Sequence, residues 1–188
     1  MSTIKKEKKA NKLLPGDLKA DRLIDQIIRV DHAGEYGAKR IYQGQMDVLK
    51  NSPSYKTIKH MAEQEEEHLA YFSEQIGKRK VRPTALMPLW HVGAYAMGAA
   101  TALMGEKAAM ACTVAVEEVI DEHYQEQLEM LGNDEKPLKE KIEKFRAEEL
   151  EHRDIGLENH AEEAHGYPIL RQGVKMATKL AIELSKKI

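Results

Sequence analysis

Apolar residues recur along the chain at the three-to-four-residue spacing of amphipathic helices, and no stretch shows the alternation typical of a strand. The pattern predicts helices over about 21–50, 54–78 and 106–132, a fourth that begins near Pro137, and a last one over about 168–188. Glycine or proline lies close to the predicted breaks between them. We therefore expect an all-α fold.

The first four of these helices share an unusual inward face. Each face is apolar at both ends but carries Glu, or Glu and His, in its middle. Burying an unpaired carboxylate is costly, so four helices that do so at similar depth predict a cation between them. The inward acidic and imidazole positions are Glu35, Glu65, His68, Glu117, Glu149 and His152.

The spacing Glu-x-x-His begins at Glu65 and again at Glu149. Residues three apart on a helix project from adjacent turns of one face, so both side chains can reach one metal ion. A third occurrence, at Glu162, comes just before Pro168 at a predicted helix end and is set aside. The spacing predicts one metal ligand pair on each of two helices.

An internal repeat strengthens this prediction. Glu35 and Glu117 are each followed seven residues later by a tyrosine, Tyr42 or Tyr124, and about thirty residues later by a Glu-x-x-His pair. One helix-pair unit therefore occurs twice. Helical phase selects Glu117 rather than Glu118, because Glu118 shares its face with further acidic residues.

The types of ligand indicate which metal would bind. Four carboxylates balance the charge of two divalent ions, and oxygen-rich ligation with one imidazole per ion suits iron or manganese. The lack of thiolates argues against a structural zinc site. One Glu from each of two helices and a Glu-x-x-His from each of two others is the pattern of ferritin-like di-iron or di-manganese bundles. The alternative is a set of ordinary polar helix faces in a Glu-rich protein.

The sequence resembles the demethoxyubiquinone hydroxylase family, membrane-associated di-iron monooxygenases of ubiquinone biosynthesis. The resemblance covers nearly everything after residue 20, and all six positions named above match the family's ligands. It is carried by RVDHAGEYGAKRIYQGQM (29–46), EQEEEHLAYF (63–72), ACTVAVEEVIDEHY (111–124) and FRAEELEHRDIGLENHAEEA (145–164).

The resemblance implies a ferritin-like four-helix bundle with an additional apolar crossover helix and a C-terminal amphipathic helix. It implies two iron ions per chain and an O2-dependent hydroxylation of the ring of a demethoxyubiquinol, of the 2-methoxy-6-polyprenyl-benzoquinol type. The implied partners are the isoprenoid quinol, O2, a membrane surface and accessory proteins of ubiquinone biosynthesis. The implied location is peripheral, on the cytoplasmic face of a bacterial inner membrane or the matrix face of the mitochondrial inner membrane.

Two segments bear on membrane contact. Residues 83–105 carry no charged side chain apart from the ionisable His91, and they are long enough to cross a bilayer. Their glycines and Pro88 argue for a helix in the interface or along a substrate channel instead; a crossover packed in the core is the alternative. The last helix has an apolar side and a basic side, which fits either an anionic lipid surface or packing on the bundle.

Composition limits the number of domains, the possible binding partners and the compartment of the protein. The 188 residues, 42% hydrophobic and 32% charged, suit one globular domain, predicted over 21–188 after a flexible tail over 1–20. The first residues are basic but have no apolar run, so we expect no secretory signal. A net charge of −2 gives no reason to expect nucleic-acid binding. The single cysteine, Cys112, excludes a disulfide within the chain and favours a reducing compartment.

Other roles stay open from the residues alone. Iron storage or peroxide removal is the alternative function, and a metal-free helical adaptor is a third; the uncharged segment 83–105 favours the hydroxylase. No catalytic residue is predicted beyond the metal ligands. Tyr42 and Tyr124 are expected to be packed core aromatics. Tyr124 and His123 are also candidates for contact with the ligands. Asp31 is a candidate to orient a ligating histidine, with a helix cap or a surface role as the alternative.

Overall fold

The computed structural model describes residues 20–188, and it forms six α-helices without a strand in that range. The predicted flexible tail falls outside the described residues except for Ala20, the first residue of α1. The all-α prediction is confirmed. The helices are α1 (Ala20–Val48), α2 (Tyr55–Arg79), α3 (Met87–Leu103), α4 (Glu106–Met130), α5 (Lys136–Glu158) and α6 (Tyr167–Lys187), with short 3-10 turns at Asn133–Glu135 and Ala161–Glu163.

The helices pack as two similar halves. In the first half α1 contacts both α2 and α3, and in the second α4 contacts both α5 and α6. The segment over 83–105 and the last helix therefore take equivalent places, each against the first helix of its half. The repeat inferred from two helices extends over three.

Burial follows the predicted inward faces, because the apolar residues return to one side of each helix every three to four positions. Fully burying one such side chain contributes about 1.5–3 kcal/mol. The largest buried apolar side chains include Ile28 and Tyr42 on α1, Ile58, Met61 and Phe72 on α2, Met110 and Tyr124 on α4, and Leu138, Ile142 and Phe145 on α5. Leu49, which the helical spacing from Tyr42 predicts on the inward face, follows the end of α1 and is only partly buried.

Two glycines bring α1 and α3 into backbone contact. A Cβ atom on Gly44 would overlap the carbonyl oxygen of Tyr95, and one on Gly98 would overlap the backbone of Ile41. Arg40 adds a cation–π contact, with its guanidinium 4.8 Å from the ring centre of Tyr95. These contacts hold α3 closely against α1.

The basic side of α6 lies beside acidic residues of α4. Arg171 pairs with Glu118 at 2.6 Å, Lys175 reaches the same carboxylate at 3.1 Å, and Lys179 pairs with Glu122 at 2.7 Å. These basic groups are already matched by acidic partners within the chain. Of the two predictions for this helix, packing on the bundle is the one that these pairs favour.

No helix among residues 20–188 is both long enough and apolar enough to cross a membrane.

Candidate metal centre

The structure brings all six predicted positions together in the middle of α1, α2, α4 and α5, and all six side chains are buried. They form two groups of four residues. Each residue of a group offers one potential ligand atom, and these four atoms all lie within 4.8 Å of one another. Glu65 and Glu149 belong to both groups, so they would lie between two ions if each group held one. The first group is Glu35, Glu65, His68 and Glu149, and the second is Glu65, Glu117, Glu149 and His152.

Each Glu-x-x-His pair faces the other across the bundle. The Nδ1 atom of His68 lies 3.1 Å from Glu149 Oε1 and 3.5 Å from Glu35 Oε2. The Nδ1 atom of His152 lies 3.2 Å from Glu65 Oε1 and also 3.2 Å from Glu149 Oε2. Both imidazoles therefore direct Nδ1 into the cluster of carboxylates.

Among residues 22–188, several potential ligand atoms in the cluster have no hydrogen-bond partner. They are both oxygens of Glu65, Oε2 of Glu117, Oε2 of Glu149 and Nδ1 of His152. Leaving one buried polar atom unsatisfied costs about 1–3 kcal/mol, so five at one place are a considerable cost unless a cation receives them. The residues present fit two divalent ions bound by carboxylates and imidazoles.

Without metal, the site retains protons. Burial raises the pKa of Glu65 well above its usual range, and the negative charges of Glu149 and Glu35 add to the effect. Burial and neighbouring carboxylates raise the pKa of Glu117 in the same way. Burial alone would lower the pKa of His68, but hydrogen bonds with Glu149 and Glu35 outweigh it and raise the pKa to about 12. Bound protons thus offset part of the negative charge.

Glu149 behaves differently from Glu65 and Glu117. Burial alone would raise its pKa, but the nearby imidazoles of His152 and His68 outweigh that effect and lower the pKa to about 2. Glu149 therefore stays ionised between the two imidazoles.

Two buried tyrosines hold the single glutamates of α1 and α4. The Tyr42 hydroxyl donates a hydrogen bond to Glu117 Oε1 at 2.9 Å, and the Tyr124 hydroxyl donates one to Glu35. Burial raises the pKa of both tyrosines well above the usual range, so both remain neutral donors. Each half of the repeat thus orients a glutamate of the other half. Sequence reasoning assigned Tyr42 to packing, although its place in the repeat matched that of Tyr124.

His123 lies beside Gln127 and Asp31. Its Nε2 atom is 2.7 Å from Gln127 Nε2 and 3.5 Å from Asp31 Oδ1, and Gln127 donates a hydrogen bond to Asp31 at 2.5 Å. Within residues 22–188 no side-chain hydrogen bond links Asp31 or His123 to the six residues of the cluster. Asp31 therefore orients Gln127 and not a ligating histidine.

An apolar cavity of about 240 Å³ lies between α1, α3, α4 and α6. Its walls include Ile41, Trp90, Met97 and Ile120, together with small residues of all four helices. Neighbouring positions on α3 and α6 carry large apolar side chains that are more than half exposed, namely Leu89, Val92, Met176 and Leu180. The cavity therefore lies beside an exposed apolar surface.

Residues 22–185 match the model of the ubiquinone biosynthesis protein COQ7 family. The chain belongs to the COQ7 family. Among COQ7 relatives, it is similar to the 3-demethoxyubiquinol 3-hydroxylase of Rhodospirillum rubrum, with 54% identity over 182 residues, 96% of this chain and 86% of the relative.

Eukaryotic members of the COQ7 family are similar over most of the chain. The human relative, named NADPH-dependent 3-demethoxyubiquinone 3-hydroxylase, mitochondrial, is 50% identical over 169 residues, 88% of this chain and 78% of the relative. The Saccharomyces cerevisiae relative, named 5-demethoxyubiquinone hydroxylase, mitochondrial, is 42% identical over 182 residues, again 88% and 78%. The resemblance predicted from four stretches of sequence is confirmed.

Proposed function

We propose that this chain is a di-iron monooxygenase that hydroxylates the ring of a demethoxyubiquinol in ubiquinone biosynthesis. The observation that carries the proposal is the pair of overlapping ligand groups that share Glu65 and Glu149. Membership of the COQ7 family, with relatives named as hydroxylases of demethoxyubiquinol or demethoxyubiquinone, supports the substrate class. These names favour hydroxylation over iron storage or peroxide removal.

Each residue of the cluster has a distinct place in the proposed site. Glu35 and His68 would bind one iron ion, Glu117 and His152 the other, and Glu65 and Glu149 would bind both. A bound iron pair would supply the redox chemistry that, with two electrons from a reductant and two protons, places one atom of O2 on the ring and releases the other as water. The four carboxylates balance the charge of two ferrous ions.

The surrounding residues of the chain prepare this site for its ligands. Tyr42 and Tyr124 fix the carboxylates of Glu117 and Glu35 by hydrogen bonds, so that their remaining oxygens point toward the metal positions. Burial of the whole cluster excludes bulk water, which strengthens each charge–charge interaction there.

The apolar cavity suits the quinol. A dry cavity on the order of 150 Å³ can accept benzene, so a cavity of about 240 Å³ has room for a substituted ring. Gly34 and Ala38, beside Glu35 on α1, and Val116, beside Glu117 on α4, form part of its wall. The ring would therefore bind near the metal centre, with the isoprenoid tail leaving between α3 and α6.

The exposed apolar residues of α3 and α6 suit a membrane surface, where a long isoprenoid tail is dissolved. Since Arg171, Lys175 and Lys179 are paired with α4, apolar insertion and not attraction to anionic lipid would provide most of the binding. We place the protein peripherally on the cytoplasmic face of a bacterial inner membrane, or on the matrix face in mitochondria. Quinol would then enter the cavity from the bilayer.

The test is turnover of a short-tailed demethoxyubiquinol by purified, anaerobically iron-loaded protein that is then exposed to ¹⁸O₂. We expect about two iron ions per chain and a product that gains one ¹⁸O atom. Product that takes its oxygen from water, or iron oxidation without any product, would contradict the proposal. Zinc-loaded protein is the matched control and should form no product.

A further inference from the structure

The Nε2 atoms of the two cluster histidines, which point away from the carboxylates, have different partners. His68 Nε2 donates a hydrogen bond to Glu148 Oε2 at 3.0 Å, and His152 Nε2 donates one to Gln64 Oε1 at 3.0 Å. Because both partners are acceptors, each fixes the ring with its proton on Nε2. With that proton held on Nε2, Nδ1 is the nitrogen that would bind a metal ion.

Glu148 and Gln64 occupy equivalent places in the repeat. Glu148 directly precedes Glu149, and Gln64 directly precedes Glu65, the first residues of the two Glu-x-x-His pairs. Each crosses the bundle to the histidine of the other helix, and the two distances are equal. The two side chains have the same length and shape and differ in charge.

This difference has a chemical consequence. A carboxylate that accepts a hydrogen bond from the Nε2–H group raises the electron density of the ring more than a neutral amide does, so Nδ1 becomes a stronger metal ligand. Glu148 also pairs with Lys144 at 2.9 Å, and its side chain is 22% exposed, which moderates its charge. His68 should nevertheless be the stronger ligand of the two.

We propose that Glu148 and Gln64 are positioning residues that make the two metal positions unequal, so that the position beside Glu35 and His68 fills first and binds more tightly. The proposal rests on the metal site of the proposed function. It goes further by assigning a role to the difference in charge between the two groups that accept a hydrogen bond from Nε2. In the metal-bound protein, the ion beside Glu117 and His152 would then be the weaker-bound one.

Stepwise binding of Mn²⁺ to the full chain, followed by the electron paramagnetic resonance signal of free Mn²⁺, tests this directly. The wild type should bind two ions with Kd values that differ by about tenfold or more. Hydrogen-bond partners of metal ligands typically change the metal affinity by about 10–100-fold. Glu148→Gln should weaken the first step by about tenfold, and Gln64→Glu should tighten the second step by a similar factor. The double exchange, Gln64→Glu with Glu148→Gln, should restore two unequal steps.

Glu151→Gln is the matched control, because it removes one negative charge from an exposed position of the same helix. It should leave both steps unchanged. All variants conserve side-chain volume, and thermal unfolding of the metal-free forms checks that they fold alike. Equal affinities in the wild type, or equal effects of Glu148→Gln and Glu151→Gln, would overturn the inference while leaving the proposed function intact. A wild type that binds no metal would overturn both.

Discussion

At the scale of single residues, several polar atoms of the centre lack hydrogen-bond partners among the described residues. Glu117 shows this clearly, since Tyr42 satisfies one of its oxygens and the other is buried without a partner. Its neighbour Glu118, one position along the helix, pairs instead with Arg171 and Lys175. Helical phase alone separates a metal-facing carboxylate from one that attaches α6.

We expect Glu117→Gln to lower the iron content from about two ions per chain to one or fewer and to abolish hydroxylation, because a neutral amide is a poor iron ligand. Iron analysis and turnover measure the two effects. Glu118 is a poor control because its replacement would loosen α6, whereas Glu151→Gln changes an exposed carboxylate. Equal iron content in the Glu117 and Glu151 variants would contradict the assignment.

Sequence alone predicts the six cluster positions because each one interrupts an apolar face at a fixed helical phase. The hydrogen-bond partners of these residues are harder to predict, since they reach across the bundle between helices far apart in the chain. Tyr42 and Glu117 are one example, and His68 and Glu148 are another. The burial of Cys112 is easier to predict, because this residue lies in an apolar stretch of the sequence. Cys112 is indeed buried, and burial raises the pKa of its thiol to about 12.

At the scale of elements, the helices with one clear apolar face were predicted to within about two residues at most ends. The place of α3 was not predicted, because a helix almost without charge shows no preferred face. Its orientation is set by close contacts at Gly44 and Gly98, which depend on the partner helix. The direction of the basic side of α6 likewise depends on Glu118 and Glu122 of α4.

We expect Gly98→Ala to destabilise the protein by about 1–3 kcal/mol, because the added methyl group must displace the backbone of Ile41. For a chain of this size the melting temperature would fall by about 2–4 °C per kcal/mol. Gly93→Ala, on the same helix, is the control, since a Cβ there meets nothing within 4 Å. Equal melting temperatures of the two variants would show that α1 and α3 are not in close contact.

The exposed apolar side chains of α3 predict that this helix contacts the membrane. Leu89→Glu combined with Val92→Glu should reduce binding to lipid vesicles by at least tenfold, because charged groups enter the apolar interface at a high cost. Met130→Glu, at an exposed apolar position at the end of α4, should leave vesicle binding unchanged. Flotation of the three proteins with vesicles gives the comparison, and equal flotation would rule out α3 as the membrane contact.

At the scale of the whole molecule, the two halves depend on each other. Each group of potential ligands includes residues from both halves, and each tyrosine orients a glutamate of the opposite half. Metal binding should therefore stabilise the complete bundle and not one helix pair. An ion that binds only the folded chain adds about 2.7 kcal/mol of stability at a free concentration one hundred times its Kd.

We expect this stabilisation to increase with pH. The pKa values of Glu65, Glu117 and His68 are raised in the metal-free protein, so these groups bind protons that the metal must displace. The metal-bound form carries fewer protons, and its formation is therefore favoured as the pH rises. Melting temperatures with ferrous iron and with chelator, under anaerobic conditions at several pH values, should diverge with rising pH. A difference that grows toward acid would contradict the account.

The most direct test of the central claim is the position of iron in crystals of anaerobically iron-loaded protein, located by anomalous scattering at the iron edge. We predict two peaks roughly 3.5–4 Å apart, the spacing common in two-metal sites. Glu65 and Glu149 should lie between the peaks, with His68 beside one and His152 beside the other. Iron found only at surface carboxylates, or a single peak on one side of the cluster, would contradict a shared di-iron centre.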